Sequence, residues 1–111
     1  MEERRSANRL RTNINVRWES LQTQGRGSVC DLSATGCFVL TGGDVNAGEL
    51  IRMQFVLKDE IATLWGQVIY IVNEMGFATR FVFANDDEQR LRRLLDDLSR
   101  SEIIGEITFA V

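Results

Sequence analysis

Histidine is absent from the 111 residues. The residue most often used as general base and metal ligand is therefore missing, and Ser-His and Cys-His nucleophile pairs go with it. No glycine-rich loop carries a lysine to cradle phosphates. Carboxylates are plentiful but fall in turns and at one helix start. The chain is expected not to be an enzyme. Cysteine is scarce, with only Cys30 and Cys37. Their spacing fits no zinc motif, and a site with two cysteines and no histidine would need two carboxylates to complete it. Both are expected to be small buried hydrophobes rather than a disulfide or metal ligands. Neither a metal nor a cofactor is expected. No apolar run approaches the roughly 18 residues of a membrane span. Met1-Glu2-Glu3-Arg4-Arg5 lacks the apolar core of a signal peptide. A cytoplasmic chain without membrane insertion is the expectation.

What is present is unevenly charged. Residues 1–26 hold six arginines (4, 5, 9, 11, 17 and 26) against three glutamates (2, 3 and 19), while the whole chain carries −3. A net acidic chain is a poor general nucleic-acid binder, because phosphate-driven affinity needs a broad basic face. A local basic arm on an acidic body suits one small anion better.

The length predicts one domain with a real core. Residues 1–12 show no apolar periodicity and are read as a mobile N-terminal arginine arm. Residues 13–100 are read as the folded body. Ile14, Val16 and Trp18 alternate with polar neighbours, predicting a half-buried strand over 13–20. Strands follow over 26–31, 37–41, 49–58, 61–72 and 77–83, with Gly66 marking a bulge or a close approach. The last strand puts Phe77, Phe81 and Phe83 on one face and Arg80 on the other. Asn85 and Glu88 then have the form of a capping box. Leu91, Leu94, Leu95 and Leu98 recur at helical spacing, predicting one amphipathic helix of about four turns against the strands or over one barrel mouth. Residues 101–111 form a tail whose weak alternation from Ile104 onward allows an extra strand or an oligomer contact. Six short strands without crossover helices predict a mainly β fold, an antiparallel barrel-like sheet with a C-terminal helix.

Binding chemistry concentrates in two places. Arg5 and Arg9 are four apart, with Arg4 immediately before them. An arginine fork makes bidentate bonds to phosphate or to the O6/N7 edge of guanine, and stacks on a base. The second place is the loop Asp31-Leu32-Ser33-Ala34-Thr35-Gly36. Asp31 can accept from the donor edge of guanine, Ser33 can bond phosphate or base, and Gly36 lets backbone approach closely and can take a positive φ. A guanine nucleotide needs both edges answered, and this chain holds both chemistries.

The two motifs together resemble the PilZ domain family, whose signature is R-x-x-x-R on an N-terminal arm followed by (D/N)-x-S-x-x-G. Here they read Arg5-Ser6-Ala7-Asn8-Arg9 and Asp31-Leu32-Ser33-Ala34-Thr35-Gly36. Gly66-Gln67-Val68-Ile69-Tyr70 and Met75-Gly76-Phe77-Ala78-Thr79-Arg80-Phe81 are similar to the family's later hairpin, and the C-terminal helix also fits. The resemblance implies a six-stranded antiparallel PilZ-type β-barrel that binds cyclic di-GMP, a bacterial second messenger. It implies that Arg5 and Arg9 clasp phosphate and the guanine O6/N7 edge. Asp31 and Ser33 would hold the other edge, and Gly36 would shape the loop. Tyr70 would pack against a base or within the barrel. Arg4, just before the R-x-x-x-R, implies a stacked pair of ligand molecules. The implied role is a receptor or adaptor whose arm orders on ligand and relays the signal to a protein effector, with no second domain attached. The alternative is a PilZ-like protein-interaction module without ligand, of the pilus or motility kind.

Overall fold

Alternation of apolar and polar residues along six segments closes this chain on itself. A computed structural model describes residues 9–110, and their side chains as far as Arg100. The strands are β1 (Leu10–Glu19), β2 (Gln24–Leu32), β3 (Gly36–Leu40), β4 (Leu50–Val56), β5 (Ile61–Val72) and β6 (Gly76–Val82), and helix α1 spans Asp87–Ala110. All neighbours are antiparallel, and the sheet closes into a barrel in the order β1-β2-β3-β6-β5-β4. The mainly β barrel with a C-terminal helix is as the sequence predicts.

Inward residues follow the two-residue period. Ile14, Val16 and Trp18 of β1 lie beside Ile51, Met53 and Phe55 of the neighbouring β4 in a core completed by Val29, Val39, Leu64, Val68 and Phe77. Trp18 meets Phe77 edge-on at 5.4 Å between ring centroids. Gly66 is a point of close approach rather than a bulge, since a Cβ there would stand 2.7 Å from Met53 Cε. The bulge in β5 falls instead between Val68 and Tyr70. Phe83 lies beyond β6 and is partly exposed, although its ring still sits 6.0 Å from Phe81.

Three expectations need correction. Leu10–Thr12 belong to β1 rather than to an arm, because Leu10 and Arg11 pair with Leu32 and Asp31. The helix does not end near Arg100: residues 101–110 continue it and form no strand. Ile103, Ile104 and Ile107 are spaced one and three apart, which suits a helix at least as well as a strand, and no proline interrupts them. The capping pair also differs. The Asp87 carboxylate, not that of Glu88, reaches back, accepting from the Ala84 N–H at 3.0 Å. Asn85 takes a left-handed turn position at φ 54°, which asparagine tolerates. Glu88 instead pairs with Arg92 one turn on. Leu91 is buried in the core, and Leu94, Leu95 and Leu98 pack against it, so the leucine stripe seats the helix on the barrel. Among the described residues no helix is long and apolar enough to cross a membrane.

Candidate functional site

Two backbone irregularities meet where the motifs meet. The β1–β2 register shifts between Arg11 and Ile14. The β2–β3 register shifts between Val29 and Asp31, leaving Cys30 as the extra residue. Bulges raise local twist and re-aim side chains. Here the Thr12 hydroxyl donates to the Val29 carbonyl across the gap at 2.5 Å, and Asp31 turns toward the start of β1. Arg9 Nη1 donates to Asp31 Oδ2 at 3.3 Å. Cys30, expected to be buried, is only half-buried because it is the bulge residue; Cys37 is buried as expected.

The loop from Ser33 to Gly36 is a tight turn, closed by the Ser33 N–H on the Gly36 carbonyl at 2.9 Å. The Ser33 hydroxyl accepts the Thr35 N–H at 3.2 Å and lies 3.3 Å from the Gly36 carbonyl. Ser33 is buried, so its hydroxyl is engaged in holding the loop. Gly36 does not use a positive φ, which among the described residues is confined to other positions. Its need for glycine is steric: it pairs with Arg80 on β6, and a Cβ would collide with the Thr79 carbonyl. The Thr35 carbonyl accepts the Phe81 N–H at 2.8 Å, fixing the loop to β6.

These residues line one open cleft of about 270 Å³, which gathers Arg9, Asp31, Ser33, Gly36 and Tyr70. Tyr70 is 55% exposed; it stands opposite Ala78 after the β5 bulge, outside the barrel core. Arg4 and Arg5 lie outside the described residues. The sequence reading missed Arg80, Phe38, Ile69 and Ala78 in the same cleft. The signal for Arg80 was its outward phase on β6, but its place beside Gly36 depends on the β3–β6 pairing. Arg9 and Arg80 outnumber Asp31 here, so the cleft favours an anion that also presents a donor edge. Burial pushes the Cys37 thiol up to about 12, opposed by the Thr79 hydroxyl at 3.4 Å; Cys37 is an inert wall beneath the cleft.

Comparison with known proteins agrees with this architecture. The PilZ domain family model matches residues 3–99. The chain belongs to the PilZ domain family. It is similar to the PilZ domain of YcgR from Escherichia coli solved with c-di-GMP, with TM-score 0.78, 18% identity, and coverage of 93% of this chain and 97% of that one. It is also similar to the PilZ domain of CeSA from a cellulose-synthesizing bacterium, with TM-score 0.70, 21% identity, and coverage of 84% and 99%. MrkH of K. pneumonia in its apo state aligns with TM-score 0.73 and 19% identity, over 88% of this chain and 52% of that one. At these identities the structures establish the fold alone. A search of curated protein sequences gave no match.

Proposed function

We propose that this domain is a cyclic di-GMP receptor that relays ligand binding to a protein partner and performs no catalysis. One observation carries the reading. Arg9 and Asp31, from motifs 22 residues apart, meet at 3.3 Å on the rim of a cleft shared with Ser33, Gly36 and Tyr70. The YcgR PilZ domain, of the same fold, was solved with c-di-GMP. Arg5 and Arg9 supply donors to phosphate and to the guanine O6/N7 edge, and Asp31 accepts from the opposite edge. Ser33 holds the loop that aims Asp31. Tyr70 offers an exposed ring for stacking, worth about 1–3 kcal/mol per base. Arg4 favours a stacked pair of ligands.

Ligand draws the arm bearing Arg4 and Arg5 across the cleft, and the closed arm changes the surface seen by the partner. The response is bounded by the ligand's differential affinity for the two arm states. Isothermal titration with cyclic di-GMP tests the reading and gives stoichiometry. Binding near two per domain, lost in Asp31→Ala, is the expected result. No binding by the wild-type chain would leave a PilZ-like interaction module without ligand.

A further inference from the structure

The candidate site gives no role to Arg11, Arg17 or Arg26, and the last two stand together. Arg17 of β1 and Arg26 of β2 are exposed and stand directly opposite each other, with Gln54 of β4 on the other side of Arg17. Like charges in a cross-strand pair oppose sheet formation. No carboxylate among the described residues pairs with either, whereas Arg52 is paired with Glu19. Arg17, Arg26 and Arg52 line a cleft of about 450 Å³ on the outer barrel wall. From Arg11, the register partner of Asp31, Arg17 is six residues along β1, or roughly 20 Å.

The surface does not stop at charge. Arg52 pairs in register with Trp65 of β5, a residue 39% exposed. Arg52 and Glu19 also line an adjoining groove of about 660 Å³ that contains Trp65, Leu50 and Leu21; Leu21 is fully exposed and Leu50 is 49% exposed. An arginine cluster merging into an exposed tryptophan has the composition of protein-recognition hot spots, and the leucines beside it add apolar area to the groove. A nucleic acid would meet a small basic patch on a chain of net charge −3, and would have no use for the groove.

We infer that the outer face of β4, β1 and β2 docks an acidic protein segment, its carboxylates on Arg17 and Arg26 and one large apolar side chain in the groove beside Trp65. The inference stands independently of nucleotide binding.

The test uses a labelled polyglutamate peptide with one central leucine, the same peptide with glycine in place of leucine, and a labelled oligothymidine of equal length. Fluorescence anisotropy should show the leucine peptide binding best. The double variant Arg17→Gln/Arg26→Gln should weaken it at least about tenfold. Trp65→Ala should erase the preference for leucine over glycine. Arg92→Gln/Arg93→Gln, on the helix, should bind as wild type. The Arg17→Gln/Arg26→Gln protein should keep or raise its Tm, because a repulsion is removed, and its cyclic di-GMP titration should match wild type. Undiminished peptide binding by that variant, tighter binding of oligothymidine than of peptide, or a lowered Tm would each overturn the inference.

Discussion

The Arg9 guanidinium donates to the Asp31 carboxylate at 3.3 Å, so the last residue of one motif holds the first residue of the other. The pair is a rim feature: the Arg9 side chain is 74% exposed and that of Asp31 34%. Exposed pairs contribute at most about 1 kcal/mol to folding. Fold and function therefore separate at Arg9. Arg9→Gln should leave the thermal melt within about 8 °C of wild type. The same variant should bind cyclic di-GMP more than about tenfold more weakly, since an arginine enclosed by ligand is worth about 2–5 kcal/mol. Melts followed by circular dichroism and calorimetric titration check both halves. A variant that unfolds, or that binds as wild type, would remove Arg9 from the proposed site.

How much of this could be read beforehand differs from residue to residue. The alternation of Ile14, Val16 and Trp18 is local, and it predicted the buried face of β1. Arg9, Asp31, Ser33 and Gly36 were legible because each motif is contiguous. Arg80 was not, because its neighbour Gly36 comes from a strand 44 residues earlier and only the β3–β6 register joins them. Cys30 looked buried because alternation does not reveal a bulge. The helix end was missed because the spacing of Ile103, Ile104 and Ile107 admits two periods. Local chemistry was legible; long-range register was not.

Gly36 is a packing residue, and this can be measured. A Cβ there would strike the Thr79 carbonyl, forcing β3 and β6 apart at the floor of the cleft. Gly36→Ala should destabilise the barrel by about 1–3 kcal/mol, the usual cost of overpacking. It should also weaken cyclic di-GMP binding. Gly42→Ala is the control, since a Cβ at Gly42 meets nothing within 4 Å. Urea unfolding of both variants, compared through the midpoint at constant slope, tests the contrast. Equal midpoints for the two would mean that the β3–β6 contact yields freely.

Cys37 predicts an alkaline limb of stability. Burial raises its thiol to about 12 in the folded chain, against about 8.5 for an unperturbed thiol. The folded state then holds the proton more tightly than the unfolded state. The contribution is complete below the unfolded value and is lost as pH rises from about 8.5 toward about 12. Wild type should therefore lose stability faster over that range than Cys37→Ala. Half-buried Cys30 should alkylate in the native protein, and Cys37 only on unfolding. Parallel pH curves for the two chains would show that the Cys37 thiolate forms without unfolding the barrel.

Asp87 carries the start of the helix. Its carboxylate accepts the Ala84 N–H at 3.0 Å, and its own N–H donates to the Ala84 carbonyl at 3.0 Å. The residue is buried beside Leu91, so water cannot readily replace the lost acceptor. Asp87→Ala should cost about 1 kcal/mol, the usual worth of a side-chain cap, and lower the Tm by about 4–8 °C. Asp87→Asn should cost less, because an amide oxygen still accepts and only the charge at the helix N-terminus is lost, about 0.3–1 kcal/mol. Asn85→Gly should be neutral or slightly stabilising, since Asn85 holds a φ of 54° that glycine adopts freely. Thermal melts of the three variants rank them. If Asn85→Gly were the most damaging, the cap would belong to Asn85, and the Asp87–Ala84 bond would be a bystander.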